Sequence, residues 1–156
     1  MIIRKVRNER RLGAAAVETA LIIIPLFMFV MGTFEFGRLV MVLNVTNNAA
    51  REGCRWALAN NTDSNIANDI ITQVNSRMCG LNTTAFTNYS VTVSGTHIVN
   101  GTSTSYSGNG VNNLAAGDMI TVTVTGTFKF MNVIPLVTLP SFTITSAPTM
   151  VCEGAT

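Results

Sequence analysis

From Ala14 to Phe34 the chain reads AAAVETALIIIPLFMFVMGTF, an apolar run of roughly 21 residues in which Glu18 is the only charge. Wound as an α-helix at about 1.5 Å per residue, this length crosses a hydrocarbon layer of about 30 Å. Apolar side chains fall on every face of such a helix, the pattern of a segment surrounded by lipid rather than packed against a core on one side. Pro25 has no amide hydrogen, so a bend or a locally melted turn is expected there.

The flanks give the run a direction. Arg4, Lys5, Arg7, Arg10 and Arg11 crowd the residues before it, against the single acid Glu9. A basic N-terminus can bind nucleic acid, but placed directly before an apolar run it reads as an orienting signal for membrane insertion. The expectation is a single pass through the cytoplasmic membrane, with the N-terminus inside and the C-terminal part outside. Charged residues make up only 12% of the 156, and the mean hydropathy of +0.37 is too high for an ordinary soluble domain. The excess is local: everything after Asn60 is rich in Thr, Ser, Asn and Gly.

The helical pattern continues past Phe34. Phe36, Val40, Leu43, Ala50, Cys54 and Ala57 recur at three- and four-residue intervals, and Glu35/Arg38 and Glu52/Arg55 stand at i,i+3. A helix from Ala14 to Ala59 is about 69 Å long, so its second half stands outside the bilayer. The Asn60-Asn61 pair ends it. The expected organisation is a basic leader (1–13), a membrane segment (14–34), an extramembrane continuation of the helix (35–60) and an external domain (61–156).

That external domain reads as a small α+β unit: a short helix and three or four antiparallel strands, with the long helix supplying half the core. Thr62, Asp63 and Ser64 are N-cap candidates, Ile66, Ile70, Ile71, Val74 and Met78 follow at helical spacing, and Gly80 is placed to stop the helix. Tyr89, Val91 and Val93 alternate with polar residues. So do Ile120, Val122 and Val124, with Phe128 and Phe130 as an extension. Phe142 and Ile144 begin another strand, resumed at Thr149–Val151 after Pro148. The Gly/Ser/Asn-rich stretch between His97 and Ala116 reads as a long surface loop, and Pro135 and Pro140 bracket a second connection. Trp56 is expected where the long helix meets the sheet.

Chemistry-bearing residues are few. Cys54, Cys79 and Cys152 have no metal-site spacing, and with one histidine no metal or other cofactor is expected. In an oxidising compartment the favoured pairing is Cys79–Cys152, with Cys54 buried and free. His97 has no nucleophile motif beside it and reads as a solvated strand-end residue, while Asp63, Asp69 and Asp118 read as loop and cap residues. No catalytic residue is identified, and neither an enzymatic role nor a small-molecule substrate is expected.

Several stretches together resemble the TadE-like family of pilus-assembly proteins, relatives of type IV pilins. They are Arg10-Arg11-Leu12-Gly13 followed by Ala14-Ala15-Ala16-Val17-Glu18, then Glu35-Phe36-Gly37-Arg38, then Asn48-Ala49-Ala50-Arg51-Glu52-Gly53, and more loosely Gly117 to Val124. Thr19 stands where the family usually has an aromatic residue. The resemblance implies cleavage by a prepilin peptidase after Gly13, making Ala14 the mature N-terminus. It also implies partnership with other pilin-like subunits and an inner-membrane assembly platform, as a minor pilin or pseudopilin of a tight-adherence system. Glu18 is the expected assembly contact, meeting the Ala14 amine of a neighbouring subunit. Two other fates suit the same residues: an unprocessed anchored binding module, or a domain released by a signal peptidase near Val30-Met31-Gly32.

Overall fold

The computed structural model describes residues 3–60, 62, 64–99, 102–112, 114–131 and 141–152. The expected features at Asn61, Asp63, Pro135 and Pro140 lie outside these. The described residues fall into two compact units. One holds the first helix up to Arg38 together with Met131, and the other holds the rest from Leu39 onward.

Helix α1 runs Ile3–Ala59 and contributes to both units. It passes through Pro25 without losing its helical assignment, so the melted turn expected there does not form. Its end is chemically defined. The Asn60 backbone amide donates to the Trp56 carbonyl at 3.1 Å, and the Asn60 side-chain amide donates to the same oxygen at 3.0 Å, capturing a carbonyl the helix would otherwise leave open.

In the unit that begins at Leu39, the described elements after α1 are α2 (Ile66–Arg77), the one-turn α3 (Leu81–Thr84), β1 (Phe86–Val99), β2 (Thr102–Ser107), a 3-10 turn (Gly108–Val111), β3 (Met119–Phe128), β4 (Phe142–Ser146) and β5 (Thr149–Val151). The strands form one antiparallel sheet in the order β2-β1-β3-β4, with β5 also pairing β3. The α+β architecture is as expected, with five strands rather than three or four.

Period-2 patterning is cleanest in β3, where Ile120, Val122, Val124, Gly126 and Phe128 are buried and the threonines between them are half-exposed. The buried face meets Val42, Ala49, Ala50, Cys54 and Ala57 of α1 and Ile66, Ile70, Val74 and Met78 beside it in one apolar cluster, with Trp56 packed against its edge. The small residues of α1 let the backbones approach: a Cβ at Gly53 would lie 2.6 Å from the Val74 Cγ2 methyl.

Three local expectations are corrected. The cap of α2 is not in the Thr62–Ser64 stretch as far as it is described. Asn65 holds the cap position without a side-chain capping bond, and the Ala67 amide donates to Asn109 Oδ1 at 3.2 Å, across 42 residues. The stretch after His97 is not one long surface loop. It contains β2, whose six side chains are all exposed, and the 3-10 turn that buries Val111, with Leu114 buried just beyond. An edge strand exposed on both faces carries no apolar alternation, and it joins the sheet by backbone pairing with β1. The expected Cys79–Cys152 bridge is also absent: all three cysteines are free thiols. Cys79 sits exposed in the left-handed turn (φ 50) that, with Gly80 (φ 80), ends α2. Cys152 is buried beside Asp118, its amide donating to the Asp118 carbonyl at 2.7 Å.

Candidate functional site

The residues expected to carry function cluster on α1. Val17, Leu21, Ile22, Ile23, Ile24, Leu26, Phe27 and Phe29 are all exposed in the isolated chain. The helix is apolar enough and long enough over Gly13–Ala59 to cross a membrane, with a mean hydropathy of 2.2 in its most apolar window and none of that window buried. Two threonine hydroxyls within it are folded back on the backbone. The Thr19 hydroxyl donates to the Ala15 carbonyl at 2.8 Å and the Thr33 hydroxyl to the Phe29 carbonyl at 2.9 Å, which removes the cost of exposing them to hydrocarbon. Thr19, the departure from the family pattern, is thereby a lipid-tolerant residue. Gly13, Ala14 and Glu18 lie on exposed positions of this helix. Gly13 needs no unusual backbone angle, and a Cβ there meets nothing within 4 Å, so packing does not demand glycine at this position. The backbones of Arg4, Lys5, Arg7, Arg10 and Arg11 are helical.

The two later motifs have structural duties. In Glu35-Phe36-Gly37-Arg38, Glu35 binds the Arg38 guanidinium at 2.7 Å and accepts the Met131 amide at 3.1 Å. In the Asn48–Gly53 motif, Ala49, Ala50 and Gly53 are buried, while Glu52 is shared between Arg55 at 3.3 Å and Arg77 at 3.1 Å. Ala49, Glu52, Arg55 and Arg77, with Val45 and Asn48, border an open cleft of about 480 Å³.

One constellation escaped the sequence reading. His97 and Asp118, 21 residues apart, meet across the β1–β3 pairing: Nδ1 of His97 lies 2.6 Å from Asp118 Oδ1, and Asp118 is only 1% exposed. The carboxylate also accepts the Ala115 amide at 2.7 Å and the Ile98 amide at 3.4 Å. Burial pushes the Asp118 carboxyl up, but the His97 hydrogen bond, the two amides and the His97 charge outweigh it and hold it below its ordinary value. His97 is therefore a paired residue rather than a solvated strand end, and Asp118 a buried staple between β1, the 114–117 turn and Cys152. No short-range spacing announces the pair. Among the described residues, no group of three or more His, Cys, Asp or Glu side chains is arranged to hold a metal ion.

An exposed apolar helix followed by a small α+β domain is compatible with a chain anchored in a membrane by a single pass. The family model for TadE-like protein matches residues 13–55, from Gly13 past the Asn48–Gly53 motif, and over this segment the chain is similar to that family. The family is a structural, pilus-associated one. No curated protein and no solved structure matches the chain.

Proposed function

We propose that this chain is a structural subunit, a minor pilin or pseudopilin, of a tight-adherence pilus or related secretion system. It is inserted in the cytoplasmic membrane with its N-terminus inside and its α+β domain outside, and is cut by a prepilin peptidase between Gly13 and Ala14. The observation that carries this reading is the overlap of the TadE-like match over residues 13–55 with an unburied apolar helix. A glycine that the fold does not require, set between five basic residues and a lipid-facing helix, suits recognition by a membrane-embedded protease. Its partners are that peptidase, other pilin-like subunits and the inner-membrane platform. After assembly the domain stands outside the cell in a filament or beneath its base.

N-terminal sequencing of the membrane-extracted protein tests it. Ala14 as first residue is the expected result. Met1 would replace the proposal with an uncleaved anchor, and Phe34 or a near neighbour with a secreted domain. Because a Cβ at Gly13 meets no neighbour, Gly13→Leu leaves the helix intact, and this variant accumulates as a precursor retaining its leader.

A further inference from the structure

At the β2 end of the sheet the His97–Asp118 pair forms one wall of an open cavity of about 230 Å³, completed by Tyr106, Gly110, Asn112 and Leu114. Its construction is specific. Tyr106 is on the edge strand opposite Gly95, and the residue is 40% exposed. Gly110, in the 3-10 turn, leaves open the space beside that ring, because a Cβ there would come within 3.5 Å of Tyr106 Cβ. Asp118 takes the Nδ1 side of His97, leaving Nε2 on the other side of a ring that lines the cavity. Among the described residues, neither the Tyr106 hydroxyl nor the Asn112 carboxamide is used by a neighbour. Those three groups offer donors and acceptors beside one aromatic face and the Leu114 side chain.

The lining excludes most ligand classes. Among the described residues no lysine or arginine borders the cavity, and a buried carboxylate stands behind it, so anions are disfavoured. The Asp118 oxygens are already taken by His97 and two amides, so a cation finds no open carboxylate. A purely apolar ligand would strip water from a hydroxyl, a carboxamide and an imidazole without replacing their hydrogen bonds. The cavity is smaller than the roughly 300–1,000 Å³ of pockets that enclose drug-sized ligands. What remains is a small neutral ring with hydroxyls at its edge and C–H groups on its face.

We propose that this cavity is a binding site for one neutral sugar ring, stacked on Tyr106 and hydrogen-bonded by Asn112 and His97 Nε2. The site lies in the external domain and does not depend on the pilin reading.

The test uses the full chain in nanodiscs and saturation-transfer NMR with glucose, galactose, mannose, N-acetylglucosamine and N-acetylgalactosamine. At least one of the five gives saturation transfer to its ring protons. Tyr106→Ala and Asn112→Ala, both at rim positions outside the apolar cluster, each weaken that affinity about tenfold or more while the thermal unfolding midpoint stays near that of the parent. No transfer to any of the five sugars overturns the proposal. So does transfer that both variants retain in full, which would place binding elsewhere on the chain.

Discussion

Asp118 is the residue whose environment departs furthest from what its type leads one to expect. A carboxylate in an apolar surround is costly unless every lone pair finds a donor, and here His97, Ala115 and Ile98 supply them. Because its pKa is lower in the folded chain than in the unfolded one, its contribution to stability is complete above the ordinary carboxylate range of about pH 4 and is lost as acidification passes the lowered value. Asp118→Ala strands the Ala115 amide and the His97 ring, a loss of about 1–3 kcal/mol for unsatisfied buried groups. Urea denaturation across the acid range checks both effects. The variant unfolds at lower urea near neutrality, and its deficit relative to the parent narrows below pH 4. A deficit that does not change with pH would mean the carboxylate is not ionised in the fold.

Between helices and sheet, the decisive contact is the one that glycine permits. A side chain at Gly53 would collide with a stiff, β-branched Val74 and crowd Val122. Gly53→Ala therefore costs about 1–3 kcal/mol of overpacking, more than the gain of about 1 kcal/mol from replacing glycine inside a helix. A lowered thermal unfolding midpoint is the expected result, and an unchanged or higher one would show that α1 and α2 separate easily. Such elements differ in how plainly the chain announces them. The first half of the long helix was legible as an unbroken apolar run, and its second half, α2 and β3 because their burial follows the 3.6- and 2-residue periods. Strand β2 was not, since Thr102–Ser107 buries nothing and is held by backbone pairing, which leaves no imprint on side-chain choice. The cap that Asn109 lends to α2 and the His97–Asp118 pair were hidden for a related reason, because each joins residues whose proximity exists only after the sheet forms. Asn88, at φ 54 beside the register shift between Thr87 and Ser90, is an irregularity that alternation of apolar residues does not disclose either.

For the molecule as a whole, the proposed role turns on a single carboxylate in an apolar segment. Glu18 costs roughly 2.5–3.5 kcal/mol at a bilayer centre on insertion scales. Cleavage after Gly13 would create an amine on Ala14 about one helical turn away, and the two groups of one chain are poorly aligned to meet. Between chains they can neutralise each other, which favours assembly and fixes its axial register. Glu18→Ala is thus expected to insert and to be processed like the parent, yet to be missing from crosslinked assemblies. Recovery of the variant in those assemblies at the parent's level would remove Glu18 as the contact.

The reach of α1 into the domain's core has a further bearing, on timing. Cys54 directs its thiol to the Pro148 carbonyl, 94 residues further along the chain. A chain that enters the membrane by its N-terminal helix delivers the apolar stripe of Val42, Ala50, Cys54 and Ala57 to the far side long before β3, β4 and β5 follow to cover it. On the proposed topology, the chain in that interval has its anchor but no closed domain. Completion of export, rather than insertion, is then the step that makes it fit to be built into anything larger. A polymerising machine that waits for the folded domain would reject truncated chains without needing any separate proofreading device.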